Sequence, residues 1–428
     1  MTPVQKRTFA LLILIGLLAF VIFAFPNAKG AKTEVMLSQT STDEPITYPI
    51  VERMLYPASD IKDFVSRWVI YGDYHYGYPF YFVSAMALLP IRLIEGAQFI
   101  DFTQLNLLLL RQMVSVLPMI LALMLLVYMQ TEFRSTFRSV ALFVLLLTVR
   151  GLVRNNIQWW HPDALSVLAV VLVLFFLNRD RLRFGKDFYW AAAACGLATG
   201  IKLAGPFFVV TIFAYLVAGL VQHRLNLWGA IKAGLLFVLI MGVVAAVINP
   251  FLVFPSERQA MIDIQQFKTQ ELRYGYTHDD PAGYQLGPQF WTWTLTQWYG
   301  TWPWLAFFFV SLLAGCFWGP RQFLNRLILT WVIPYSIYLL WFVAVKPDHY
   351  WLPIIPVLFS SAFSLFDVIR EKFPDWFKVN PQKMRLIQNA ATLVLTVVLA
   401  AYVLISFTHP YGGILHIYND ALLIESGL

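Results

Sequence analysis

The chain is poor in charge. Only 13% of its 428 residues are Asp, Glu, Lys or Arg, about half the share of a typical soluble domain. That excludes a soluble enzyme, and it excludes disorder, which needs high charge and low hydrophobicity. Cysteine is scarce too. Cys195 and Cys316 both sit in apolar runs, so neither a disulfide framework nor a Cys-ligated metal is expected. There is no fixed-period repeat or low-complexity segment, which excludes a coiled coil or collagen-like fibre and weakens an inverted-repeat transporter. The short alternating segments of an outer-membrane barrel, roughly ten residues each, are also missing. What is abundant is apolar sequence: 59% hydrophobic, 17% aromatic, mean hydropathy +0.64. The class is an all-α polytopic membrane protein.

A net charge of +7 would suit nucleic acid in a soluble protein; here its placement along the chain matters more, and the expected partner is the lipid bilayer, not nucleic acid. The first apolar run, Thr8–Phe25, follows Lys6 and Arg7. Pro26-Asn27-Ala28-Lys29 is a poor cleavage site, so this run reads as an uncleaved first helix with its N-terminus inside. Further spans are expected at 105–129, 137–153, 164–178, 188–201, 204–221, 228–250, 301–318, 327–345, 351–366 and 387–406, eleven in all. A twelfth apolar segment, 80–94, decides the sidedness of everything after it. If it crosses, Arg134, Arg138, the run from Asn178 to Lys186, Arg224, Arg321, Arg326 and the segment Arg370–Arg385 all fall outside. The positive-inside rule rejects that, so 80–94 is read as a re-entrant or surface-lying helix.

The chain then reads as one transmembrane domain, 1–428: first helix 8–25, an outer loop 26–104 with juxtamembrane helices, helices two to seven over 105–250, a second outer loop 251–300, helices eight to eleven over 301–406, and an outer tail 407–428. Loops of that length are uncommon unless functional. Both mix charge with aromatics, as in Tyr71–Pro79 and Trp291–Trp298. Such stretches suit a water–lipid interface and also a sugar site, where rings stack on sugar C–H faces.

Ionisable groups beside membrane helices usually mark function. Asp43-Glu44-Pro45, with Tyr48 after it, is either a general-base site or a helix start. Trp159-Trp160-His161-Pro162-Asp163 is a tight outer turn, with Arg150, Arg154, Asn155 and Asn156 adding more polarity than a turn needs. Lys202, in Gly200-Ile201-Lys202, either snorkels to headgroups or faces a phosphate that the glycines let approach. Lys346-Pro347-Asp348-His349 is an anion site or a plain turn, and Arg111, near the outer end of the second helix, is a site cation or a snorkelling side chain. All fall on one predicted face. A site that expels an anionic leaving group needs cations at the anion and a carboxylate at the attacking group.

With those residues in place, the chain resembles the GT-C superfamily of integral membrane glycosyltransferases, of the protein O-mannosyltransferase and lipid A aminoarabinose transferase type. The resemblance runs nearly end to end. It is carried by Asp43-Glu44 with Tyr48, the Tyr76–Tyr81 stretch before a short apolar segment, Leu110-Arg111, His161-Pro162-Asp163, Gly196–Lys202 and His349–Pro356. None is specific alone; their order and spacing together are. The second loop leaves no room for a separate soluble domain, which argues against protein N-glycosylation.

The resemblance implies a polyprenyl-phosphate-linked sugar donor and a lipid, glycan or protein acceptor, handled at the periplasmic face of a bacterial inner membrane. Asp43, Glu44 and Asp163 are the expected catalytic carboxylates, with Asp43 as the base of an inverting transfer. Lys202, Arg111, Lys346 and His349 are expected at the donor phosphate, and Tyr48, His75, Tyr78 and His161 at sugar or acceptor. No cofactor is certain; a divalent Mg, Mn or Zn ion is compatible with the carboxylates and His75 or His161. The alternatives are a glycan polymerase or O-antigen ligase, which would use Arg258, Arg273 and His278, and a lipid-linked sugar flippase.

Overall fold

A computed structural model describes the whole chain except residues 31, 34, 38–42, 158, 276–283, 378–379, 411 and 427–428, and also excepts the side chains of 372–377, 381 and 424–426. His278 therefore lies outside the described residues. Among those described there is helix and no strand.

Helix α1 spans Pro3–Ala28. It starts at a Thr2–Gln5 capping box with Pro at the first position, which satisfies two orphan N–H groups. Most of its apolar side chains are exposed, Leu14, Leu17, Leu18 and Val21 among them. In water this would be a large apolar patch; around a membrane helix it is the lipid-facing surface. The Gln5 side chain donates to the Glu132 carbonyl at one end of α1, and Arg111 donates to the Asn27 and Lys29 carbonyls at the other. The second end is called the site end below.

The first loop forms α2 (Glu44–Leu55), α3 (Ile61–Trp68) and α4 (Tyr78–Glu95). The N-terminus of α4 is pinned at the site end: Gly77 N–H donates to the Ile201 carbonyl and Tyr78 N–H to Asn249 Oδ1. Its last turn is pinned in the same layer, where Arg92 Nε donates to the Leu55 carbonyl. Gly96, at φ +61°, ends it in a conformation that glycine adopts readily. The chain then turns back as α5 (Thr103–Leu110), which packs against α1, with Gln104 donating to the Ala28 carbonyl at its end. So α4, the ambiguous apolar segment, is tied at its start to α10 and at its last turn to the end of α2.

A π-helical turn, Arg111–Val116, joins α5 to α6 (Leu117–Thr131). Next come α7 (Thr136–Leu147) and α8 (Arg150–Asn155). They are separated where Thr148 bonds back to the Val144 and Leu145 carbonyls, a habit of Thr that bends helices. Helices α9 (Asp163–Asp180), α10 (Lys186–Lys202), α11 (Val209–Val221) and α12 (Leu227–Val247) follow. α9 is buried on most sides, which explains its lack of amphipathic pattern. Gly196 lets α10 approach α12: a Cβ there would stand 2.6 Å from the Met241 carbonyl oxygen. Small residues at such contacts are the usual means of close membrane helix packing.

The second loop is mostly helix. α13 (Pro255–Tyr274) lies across the first loop, with Gln265 donating to the Tyr74 carbonyl and Tyr74 donating to Glu257. α14 (Thr292–Trp298) and α15 (Trp302–Phe317) meet at a bend of 95°. α16 (Gln322–Phe342), α17 (Ile355–Phe359), α18 (Ser364–Phe377), α19 (Pro381–Thr408) and α20 (Ile414–Ser426) complete the chain.

Each of the eleven apolar stretches read as spans contains helix. Among the described residues, five helical runs are long and apolar enough to cross a membrane, six if α14 and α15 count with their preceding turn as one bent span. Of the others, α9 and α10 are largely buried in the bundle, whereas α11 keeps Val209, Phe213 and Val221 exposed. The protein is a multi-pass membrane protein.

Candidate active site

The site end carries a compact polar group. Asp43 precedes α2 and uses its backbone carbonyl, not its side chain, to accept the first helical N–H groups. Its carboxylate is left 35% exposed, with Oδ2 3.9 Å from Nε2 of His161. His161 lies in the turn before α9, buried and stacked on Trp159 at 4.3 Å between ring centres. Its Nδ1 lies 2.7 Å from Oδ2 of Asp163, but off the hydrogen-bond line, so neither atom has an aligned partner. The other oxygen of Asp163 accepts from Lys202 Nζ at 2.5 Å, joining the start of α9 to the end of α10. Lys202 also sits over the Tyr350 ring. His349, from the turn before α17, brings its ring centre to 5.3 Å from that of His161. Burial lowers the pKa of both imidazoles, so each is neutral at pH 7.

Two further residues join this group: Tyr76, which the sequence offered only as part of the Tyr71–Pro79 and Tyr76–Tyr81 stretches, and Lys268, which it did not single out. The hydroxyl of Tyr76 pairs with His161 Nε2 at 2.8 Å. Lys268, on α13, lies over the Tyr76 ring, with Nζ 3.5 Å from the His75 carbonyl. Burial, and then the positive charge of Lys202, push the Lys268 ammonium down to about 8. The signal for Lys268 was periodic: Glu257, Met261, Gln265 and Lys268 lie on the one face of α13 that meets the first loop. Asp73 stands next to them. Burial raises its carboxyl, but hydrogen bonds from His75 and Tyr81 outweigh that and hold it below the usual carboxylate range.

Several expected site residues are occupied elsewhere. Arg111 does not snorkel or face a phosphate. It is fully buried and binds the Glu44 carboxylate through Nε at 2.9 Å and Nη2 at 2.5 Å, while Nη1 holds the two carbonyls at the end of α1. Glu44 is equally buried and also accepts from the Trp160 N–H at 2.6 Å, so it braces the site instead of facing it. Tyr48 is buried with its hydroxyl accepting from Asn106. Lys346 caps the end of α16 through the Val343 and Ala344 carbonyls and lies over Trp291. Gly200 packs against Ile248 and Asn249, and a Cβ on Gly77 would overlap the Gly200 carbonyl; the glycines admit protein backbone where a phosphate was expected. His75 pairs with Asp73 at 2.5 Å on the exposed rim, and Tyr78 packs against Tyr71 and Phe82. Arg258 bonds to the Leu252 carbonyl and Arg273 stacks on Tyr274.

A divalent ion has a fitting set of donors. His161, Asp163 and His349 each offer one ligand atom, all within 4.8 Å of one another. The unaligned His161 Nδ1 and Asp163 Oδ2 are buried polar atoms of the kind a bound ion would satisfy. Two neutral imidazoles and a carboxylate suit Zn or Mn better than the all-oxygen preference of Mg.

No family model and no curated protein matches the chain. Solved structures do. ArnT from Cupriavidus metallidurans bound to undecaprenyl phosphate superposes with TM-score 0.57 at 14% identity, over 98% of this chain and 78% of that one. The archaeal oligosaccharyltransferase AglB from Archaeoglobus fulgidus, in complex with an inhibitory peptide and a dolichol-phosphate, gives TM-score 0.53 at 14% identity, over 95% and 56%. The Archaeoglobus fulgidus oligosaccharyltransferase tethered to an acceptor peptide containing the NVT sequon gives 0.54 at 15%, over 94% and 55%. The chain thus spans only about half the length of the oligosaccharyltransferases. These proteins are GT-C membrane glycosyltransferases, and the fold of this chain is theirs.

Proposed function

We propose that this protein is a membrane glycosyltransferase that moves a sugar from a polyprenyl-phosphate donor to an acceptor hydroxyl at the outer face of the membrane. The observation that carries the reading is the half-exposed Asp43 carboxylate facing the buried His161–Asp163–Lys202 chain, at the site end of a fold shared with two enzymes solved with lipid phosphates.

In this reading the acceptor hydroxyl gives its proton to Asp43 as its oxygen bonds to the anomeric carbon. The bond from that carbon to the phosphate oxygen breaks, and its electron pair leaves with the polyprenyl phosphate. One displacement inverts the anomeric centre. The leaving phosphate needs no proton, because Lys202 and Lys268 supply positive charge beside it. Low local dielectric makes those charges stronger than they would be in water. His161, bonded to Tyr76 and stacked on Trp159, lines the base with Nε2 3.9 Å from the Asp43 carboxylate. Asp163 keeps Lys202 at the site. His161, Asp163 and His349 would hold a divalent ion, which supplies Lewis-acid charge to phosphoryl oxygens when bound.

A flippase is expected to carry its polar groups near the middle of its spans. Here the buried ion pairs, Glu44–Arg111 and Asp163–Lys202, lie at the site end. The test is transfer of labelled sugar from a polyprenyl-phosphate donor by the purified chain in lipid. Donor consumption without a glycosylated product, or no dependence on Asp43, would overturn the reading.

A further inference from the structure

The opposite end of the bundle holds a second polar feature that the proposed transfer does not use. Helices α6, α9 and α15 finish there, and α7, α10 and α16 begin. Two adjoining cavities open between them, of about 330 Å³ and 280 Å³, with Pro320 and Arg321 lining both. The first is also lined by Asn178 and Arg181, the second by Arg134, Arg138, Ser135, Ser360 and Ser364.

Four guanidinium groups therefore line two adjoining cavities of one recessed face, with Arg321 shared between them. Their local carboxylates balance only part of that charge. Glu132 pairs with both Arg321 and Arg134, and Asp367 pairs with Arg138 at 2.5 Å. Those pairs engage Nη1 of Arg321, Nη2 of Arg134 and Nη1 of Arg138, and Arg321 Nε donates to the Gln130 carbonyl. Each side chain keeps further N–H donors for another acceptor. Arg134 is 74% exposed and Arg321 20%, so solvent or a headgroup can reach them. Arginine's planar fork suits phosphate oxygens, and hydroxyls such as Ser135 add neutral donors.

The depth of the recess selects the source of that acceptor. α9 runs from Asp163 at the site end to Asp180 beside the recess, 18 residues, or about 27 Å of helix. That is close to the roughly 30 Å of hydrocarbon in a bilayer. The recess lies at headgroup depth in the leaflet opposite the candidate active site.

We propose that this arginine-lined recess binds the phosphate of an anionic lipid headgroup in that leaflet. The full-length chain in neutral detergent is titrated with phosphatidylglycerol, phosphatidylcholine or inorganic phosphate, and binding is followed by native mass spectrometry and by thermal stability. Phosphatidylglycerol should bind and raise the unfolding temperature, and phosphatidylcholine should do so much less. Arg134→Gln with Arg181→Gln, both exposed and away from the packed interior, should weaken phosphatidylglycerol roughly thirtyfold, as two charges beside an anionic headgroup imply. Arg224→Gln removes a basic residue from the same end outside the recess and should leave binding unchanged. An equal response to inorganic phosphate at matched concentration would keep the phosphate site and replace the lipid by free phosphate. Equal response to phosphatidylcholine would overturn the proposal. An equal loss in Arg224→Gln would also overturn it, reducing the effect to general attraction by a positive face.

Discussion

The Gly77 N–H donates to the carbonyl of Ile201, with the Gly77 Cα lying against Gly200. This contact seats the first loop on the end of α10, one residue from Lys202, and there is no room in it for a side chain. Gly77→Ala is expected to push the loop away from α10 and separate Tyr76 from His161. Transfer should fall while the helical bundle stays folded; unchanged kinetics with a normal unfolding temperature would show that the contact does not position the site.

Asp43→Asn should lower kcat by about 10²–10⁴, the usual range for a general base. The side chain makes no helix-capping bond, so stability should hold. Rate measurements at saturating donor, beside a thermal melt, check both halves. Retained kcat would remove Asp43 as the base.

Arg111→Ala should destabilise the fold by about 3–5 kcal/mol, because it leaves the buried Glu44 carboxylate without its cation. Glu44→Leu combined with Arg111→Met should lose less than the sum of the two single changes. A double-mutant cycle in thermal unfolding measures this, and additivity would deny the coupling.

Lys202→Met should raise the donor KM about tenfold or more, the scale of a hydrogen bond to a charged group, and Lys202→Arg should restore part of it. A change in acceptor KM alone would move Lys202 to the other substrate.

The Lys268 ammonium sits at about 8, as does that of Lys346. Each is charged below that pH and loses its charge above it. If Lys268 faces the donor phosphate, donor kcat/KM declines as pH rises through about 8. Lys268→Arg should abolish that decline, and Lys346→Met should leave it, since Lys346 caps α16. The opposite pattern would assign the decline to Lys346. Chelation with restoration by Zn or Mn tests the His161–Asp163–His349 set in the same assay; activity indifferent to chelator would leave those side chains acting as hydrogen-bonding groups alone.

Much of this site was legible because its residues flank apolar runs. Asp163 opens α9 and Lys202 closes α10, so a boundary read from hydropathy puts both near one surface. The sequence could not say which boundary charges face the site. Arg111 looks like a snorkelling residue until Glu44 appears 67 positions upstream in the chain and buried against it. Lys346 looks like an anion ligand until the carbonyls at the end of α16 claim it. Lys268 stayed hidden because charged and amide residues fall on every side of α13, so charge alone does not mark the face that meets the first loop. The break in the 137–153 stretch was invisible for another reason: it contains no proline, and a threonine back-bond makes it.

The π-helical turn at Arg111–Val116 has a consequence for insertions and deletions. A π turn holds one residue more than the α-helix around it. Deleting one residue of Met113–Val116 heals the helix into regular α geometry while α5 and α6 keep their facing, because a π turn absorbs its extra residue locally. The same deletion in a regular stretch such as α12 rotates everything before it by about 100°. The surplus residue marks the place where this helix can lose a position without turning the first loop against the bundle.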